Sequence, residues 1–202
     1  MSKKEKMNLV ISAGHGSYNP ENGMYYSIAP GKQHKHSKGF FHNGSIFYEG
    51  VFNRQMAALI EEYSPFKNYR MYNEYLDMPL KEKSAEVRRI ARSGPTVVLD
   101  LHANAFNTKV RGFECFSYLG EDDSDVLNTF ILSNMRKEFP SMKFRPGGPV
   151  ESNEDKDRNF HMLRETRGPN CYASLIEFLF FDNYFDAKSA MRPEFREKQA
   201  KA

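Results

Sequence analysis

Short runs of aliphatic and β-branched residues alternate with stretches of helical period, and this alternation restricts the fold more than any other feature. Residues 8–12 (NLVIS), 96–101 (TVVLDL) and 172–178 are the clearest runs. Continuous apolar runs of this length read as strands buried on both faces. Residues 69–72 and 113–117 read as further short strands. Between them, Phe52, Met56, Leu59, Ile60 and Tyr63 form one helical stripe over residues 49–63. Residues 80–93 give a second helix, with Pro79 at its entrance and Gly94-Pro95 as its stop. Ser124 is placed to cap a third, carrying Val126, Leu127, Phe130, Ile131 and Met135, and a last helix starts at Tyr184. Strand–helix alternation implies an α/β fold, a three-layer sandwich with a mostly parallel or mixed central sheet and helices on both faces.

The chain has 202 residues, enough for one compact domain. That domain is expected to span residues 1–202, with its motif-bearing core at about 8–187 between basic, charged ends. Hydrophobic residues make up 40% and charged residues 27%, which excludes a disordered chain. The net charge of +3 is carried largely by the ends, where solvated charge is the simpler reading than an anionic partner. Cys115 and Cys171 sit in apolar strand-like stretches and read as small buried hydrophobes, with no disulfide framework. The opening MSKKEKMNLVISAG has too few apolar residues for a secretory h-region of roughly 7–15, so synthesis in the cytoplasm without a signal peptide is expected. No stretch approaches the ~20 apolar residues that span a membrane.

Residues 13–47 have no steady period and are rich in Gly, and 145–158 are rich in Pro, Gly and charge. Long irregular segments in compact domains are more often functional than not. The polar residues that interest us lie where strands and helices meet such loops. The first strand ends in Ala13-Gly14-His15-Gly16, the strand at 96–101 runs into His102-Ala103-Asn104, and Glu49 opens a helix. Glu177 interrupts the apolar run SLIEFLFF, where an unpaired carboxylate is costly to bury. Taken singly these are weak signals, since a lone His after a strand is usually structural and a Glu opening a helix usually serves the dipole. Together they suit a catalytic zinc, with two imidazoles and a carboxylate as ligands, a fourth position for water, and a spare carboxylate as base. In α/β sheets such groups gather at the carboxyl ends of strands.

The segments LVISAGHG, YEGVFNRQMA, VVLDLHANAF and MLRETRGPNCYASLIEFLFFDN resemble, in order and rough spacing, the zinc-dependent N-acetylmuramoyl-L-alanine amidases of the amidase 3 type. The resemblance runs from Leu9 to about Asp186. It implies that His15, Glu49 and His102 are the Zn2+ ligands and that Glu177 is the catalytic carboxylate. Asn104 and Asn183 match motif positions that shape the site, without an assigned role. Asp100 departs from the small polar residue usual in the family. It shares a strand face with His102, so a role behind that ligand is open. The segment after His15 is longer than the family pattern. Its His34, His36 and His42 read as part of a solvated basic loop rather than an accessory metal or substrate contact.

The implied activity is hydrolysis of the amide between N-acetylmuramic acid and L-alanine in peptidoglycan by a zinc-activated water. No nucleic-acid or membrane partner is expected, and a monomer is favoured. A wall enzyme made without a signal peptide resembles a phage endolysin, reaching the cell wall after release. Two alternatives stand beside this one. One is a related zinc amidohydrolase or carboxypeptidase acting on small acyl amino acids, for which the long segment after His15 would close the site into a pocket. The other is a non-catalytic wall-binding protein, which has no need of a buried Glu177.

Overall fold

The computed structural model describes residues 7–65, 69–71, 77–145, 156–157 and 159–202. In chain order its strands are β1 (Asn8–Ala13), β2 (Ser17–Tyr18), β3 (Tyr25–Tyr26), β4 (Gln33–Lys35), β5 (Ile46–Tyr48), β6 (Tyr69–Met71), β7 (Thr96–Asn104), β8 (Glu114–Ser117), β9 (Lys156–Asp157) and β10 (Cys171–Phe180). The helices are α1 (Glu49–Tyr63), α2 (Leu80–Ala91), α3 (Asp122–Glu138), α4 (His161–Thr166), α5 (Tyr184–Ala190) and α6 (Pro193–Lys201). Among the described residues the central sheet has six strands in the order β6-β1-β7-β10-β8-β9. β6, β1, β7 and β10 run parallel, and β8 joins β10 antiparallel. The expected α/β sandwich with a mixed sheet and helices on both faces is what forms.

The two faces of the sheet differ, because strand side chains alternate. Leu9, Ile11, Leu101, Ala103, Ile176 and Phe178 share one hydrophobic cluster with Phe52, Met56 and Ala57 of α1, and with residues of α3. Val10, Val98, Ala173 and Leu175 form a second cluster with Val87 and Ile90 of α2 and with Met162 and Leu163 of α4. Along this second face, successive rows across the strands turn from apolar to polar. Val10, Val98 and Ala173 are paired in one row, and Ser12, Asp100 and Leu175 in the next. The last row sets His102 beside Glu177 and Glu177 beside Glu114. On this face the ionisable side chains are therefore gathered at the carboxyl ends of the parallel strands, while Asn8 and Thr96 bond each other at the amino ends.

Several boundaries differ from the sequence reading, each for a local reason. β7 runs through His102 to Asn104, because its backbone pairing with β10 continues past the apolar run. Ser124 does not cap α3, which begins at Asp122 with three aspartates in its first turn, favoured there by the helix dipole. Its hydroxyl instead accepts the Ala173 N–H at 3.1 Å. The C-terminal helix breaks in two at Met191 and Arg192, and Pro193 occupies the first turn of α6. α4 was not foreseen. Of the expected loop at 145–158, Arg145 is described, as are Lys156 and Asp157, which pair with β8. The rest lies outside the described residues, as does Tyr72 of the expected strand at 69–72.

The excursion after His15 is solvated over much of its length, His42 included, but part of it is packed into the fold. It forms two antiparallel pairs, β2–β3 and β4–β5. The His36 ring is buried, stacks on Phe41 with centroids 4.5 Å apart, and sits 2.9 Å from the Phe181 carbonyl through Nε2. Phe41 and Phe47 join the core, and β5 leads directly into α1. Truncating Phe41, which is 2% exposed, should destabilise the protein by about 3–5 kcal/mol, while Met24→Ala on the exposed hairpin should stay within about 0.5 kcal/mol. Urea titration of the two variants checks this. Equal, small effects would mean that the excursion is not packed into the core.

Candidate metal centre

His15, Glu49 and His102 converge at the carboxyl end of the sheet, with one ligand atom from each lying within 4.8 Å of the others. Among the described residues no other His, Cys, Asp or Glu group does so. Three unrelated segments deliver them. His15 leaves β1 at φ 39°, the left-handed region that non-glycine residues seldom occupy. His102 is carried by β7 and lies over Gly14, where a Cβ would fall 2.2 Å from its ring. Glu49 is the first residue of α1 and is 1% exposed. The next residue, Gly50, passes so close to the His15 carbonyl that a Cβ there would lie 1.5 Å from its oxygen. Two residues without side chains thus allow the helix start and the strand end to meet.

Hydrogen bonds fix the cluster. Glu49 Oε1 accepts the Ala103 N–H at 3.3 Å and lies 3.1 Å from His102 Nδ1. Asn53, one turn along α1, donates through Nδ2 to the Gly14 carbonyl at 3.1 Å and to Glu49 Oε1 at 3.5 Å. Glu49 Oε2 is buried with no hydrogen-bond partner, its nearest cation being Lys32 Nζ at 3.8 Å. An orphaned, buried carboxylate oxygen is expensive unless a cation completes it. The two imidazoles and one carboxylate fit a borderline metal such as zinc.

Electrostatics leave His15 and Glu49 in the forms that bind metal and His102 protonated. Burial and the neighbouring His102 push the His15 imidazole down to about 4, leaving it neutral. Burial alone would raise the Glu49 carboxyl, but His102, His15 and Lys32 bring it below its ordinary value. Burial works against charge on His102, yet Asp100 above all, with Glu49 and Glu177, lifts it to about 10. A metal bound there would displace a proton.

Glu177 stands beside His102 in the β7–β10 register. Its Oε2 is enclosed without a hydrogen-bond partner. Burial pushes its carboxyl up to about 8, with His102 opposing and Glu49 assisting. Behind His102, Asp100 Oδ2 lies 3.3 Å from Nε2. Asn104 and Asn183 do not touch the cluster. The Asn104 carbonyl accepts the Phe181 N–H at 2.8 Å. Asn183 caps α5, accepting from Phe185 N and Asp186 N, and donates to the Thr108 carbonyl at 2.9 Å. His34 and His42 likewise lie outside the cluster.

Three residues near the site went unread in the sequence: Lys32, Asn53 and Lys83. Lys83 shares the buried stripe of α2 with Val87 and Ile90, so a lysine at apolar spacing was the available signal. A cavity of about 290 Å³ opens over His15, His102, Asp100 and Lys83. Ile28 and Ala29 of the excursion wall it, opposite Met78, Pro79 and Leu80. Asp77 pins that wall, its Oδ2 accepting the Ile28 N–H at 2.9 Å and the Ser27 hydroxyl at 3.2 Å. Larger cavities of about 470 and 600 Å³ lie away from these ligands, so chemistry rather than volume selects the site.

A mixed α/β sheet that gathers two histidines and a carboxylate at one edge, beside a second enclosed carboxylate, has the site architecture of metal-dependent hydrolases. Residues 9–202 match the Amidase_3 family, N-acetylmuramoyl-L-alanine amidase, and the chain belongs to that family. It is a hydrolase of the amide-cleaving, peptidoglycan-directed kind that the family comprises. No curated protein shows significant sequence similarity to it. Among solved structures, Cwp6 from Clostridium difficile superposes with a TM-score of 0.72 at 22% identity, covering 98% of this chain and 28% of that one. An N-acetylmuramoyl-L-alanine amidase from Clostridium difficile 630 gives 0.69 at 18% identity, covering 98% of this chain and 92% of that one. The catalytic domain of the CD27L endolysin, targeting Clostridia difficile, gives 0.58 at 17% identity, covering 97% and 92%. At these identities the likeness carries the fold.

The raised carboxyl of Glu177 has a sign that can be measured. Its folded value of about 8 exceeds its ordinary 4.5, so between those values the folded chain holds a proton that the unfolded chain has released. Stability must therefore fall as pH rises through that window. Metal-free Glu177→Gln should lose less stability across it than the parent, as followed by thermal melting. Parallel melting profiles would place the carboxyl in a solvated setting instead.

Proposed function

We propose that this chain cleaves the amide between N-acetylmuramic acid and L-alanine as a zinc enzyme, with His15, Glu49 and His102 holding the ion and Glu177 moving the proton. The carrying observation is the convergence of the three ligand atoms within 4.8 Å around an orphaned Glu49 oxygen. When bound there, zinc would supply a water acidified to a pKa of about 7 and a Lewis acid for the amide carbonyl.

The protein's own residues do the rest. Asn53 holds Glu49 and the Gly14 carbonyl in place together. The pinned excursion tip and the entrance to α2 wall the cleft and limit water around the reacting amide. Glu177 accepts a proton at its enclosed carboxylate and returns it to the leaving amine nitrogen.

The chain acts as one catalytic unit on the cell wall, as a monomer, reaching it after release in the manner of a phage endolysin. The fold shared with an endolysin catalytic domain is compatible with action on the cell wall. Among the described residues no helix is long and apolar enough to cross a membrane. The walled cavity favours one second reading, hydrolysis of small acyl amino acids, for which a closed pocket is needed.

Digestion of purified sacculi should free L-alanine amino groups without new reducing sugar ends, and a chelator should stop it. New reducing ends would mean a glycosidase, and activity confined to small acyl amino acids would favour the second reading. Metal analysis should show near-complete zinc loss in His15→Ala, His102→Ala and Glu49→Gln. Glu177→Gln should keep its zinc while activity drops by about 10²–10⁴-fold. Zinc loss in that variant would instead make Glu177 a ligand.

A further inference from the structure

The ring of His102 lies between two carboxylates, and only one belongs to the ligand cluster. Nδ1 faces Glu49 Oε1 at 3.1 Å, whereas Nε2 faces Asp100 Oδ2 at 3.3 Å. Asp100 is 2% exposed and is carried two residues before His102 on the same strand face. A carboxylate can only accept hydrogen bonds, so both ring nitrogens face an acceptor, and if a metal takes the place between Nδ1 and Glu49 the one remaining ring proton falls to Nε2, beside Asp100.

A buried carboxylate is unfavourable without a partner, and the structure supplies one. Lys83 reaches up from α2, is 3% exposed, and donates through Nζ to the Ala13 carbonyl at 2.7 Å. Ala13 is two residues before His15. Asp100 and Lys83 attract each other across the floor of the cavity. One interior pair of opposite charges therefore backs the strand of His102 and the strand end that delivers His15.

We propose that Asp100 is a positioning residue which fixes His102 as the Nε2–H tautomer and so makes Nδ1 its metal-binding atom, with Lys83 as the buried counter-charge. This rests on the zinc reading above. A neutral imidazole has one N–H and one lone pair, and the hydrogen bond made by one nitrogen decides which of them the other presents. Metal-ligating histidines commonly hold this second contact, and its loss typically weakens metal binding by about 10–100-fold.

The test uses the whole chain labelled with 15N at histidine and loaded with zinc. Long-range 1H–15N correlation should show His102 protonated at Nε2 and bound to metal through Nδ1. Asp100→Asn is nearly isosteric but can offer an N–H to Nε2, which permits the wrong tautomer. It should release zinc into excess chelator about 10–100-fold faster than the parent, with an unchanged circular dichroism spectrum. A parent ring bound to metal through Nε2 overturns the proposal, whether or not the variant folds. So does a folded Asp100→Asn that releases zinc at the parental rate. A parent chain that binds no zinc at all overturns the zinc reading itself, and this inference falls with it.

Discussion

The contact between Glu49 and His102 ties the molecule together. It joins the first residue of a helix to the central strand of the sheet, with both side chains buried. Burying two ionisable groups is unfavourable unless their remaining hydrogen-bonding positions are satisfied. Here Ala103 N–H and Asn53 serve Glu49 Oε1, and Asp100 serves the far side of His102. Glu49 Oε2 alone is left over. The lack of side chains at Gly14 and Gly50 follows from this contact, because a methyl group at either would drive strand end and helix start apart.

Much of this was legible in the sequence, for reasons that differ by residue. β1, β7 and β10 announce themselves as continuous aliphatic runs, since strands covered on both faces have no polar alternation to hide them. Glu177 was visible as a charge in such a run. His102 was read as lying just past a strand, because the period ends where the chemistry begins, although the backbone pairing does not. The excursion was illegible for the opposite reason. Its strands are two or three residues long, too short for any period, and the burial of His36 depends on Phe41 and Phe181, the latter 145 residues away. Asn53 on a helix looks like a solvated residue until the strand end that it bonds is placed beside it. The break between α5 and α6 was written in Pro193.

The two faces of the sheet divide the work. The face toward α1 and α3 is largely apolar and holds the fold, with Ser174 and Ser117 bonding Asn128 and Asp125 of α3. The face toward α2 and α4 is apolar only at its lower rows and then turns to Ser12, Asp100, His102, Glu177 and Glu114. Two charges of that upper band have an opposite neighbour elsewhere in the chain, Lys83 for Asp100 and Arg145 for Glu114, the latter at 2.8 Å. Ionisable groups here are gathered into one band.

β5 passes into α1 without a turn, so the segment that walls the cleft is also the segment that sets the height of the first helical residue. The wall is tethered twice more, by Asp77 at its tip and by His36 under Phe181. An excursion held at three points cannot be treated as a detachable graft, to be lengthened or exchanged for a different substrate. A change in its reach would be transmitted as a lever through Tyr48 to Glu49, which makes the shape of the cleft and the seating of that carboxylate a single mechanical variable.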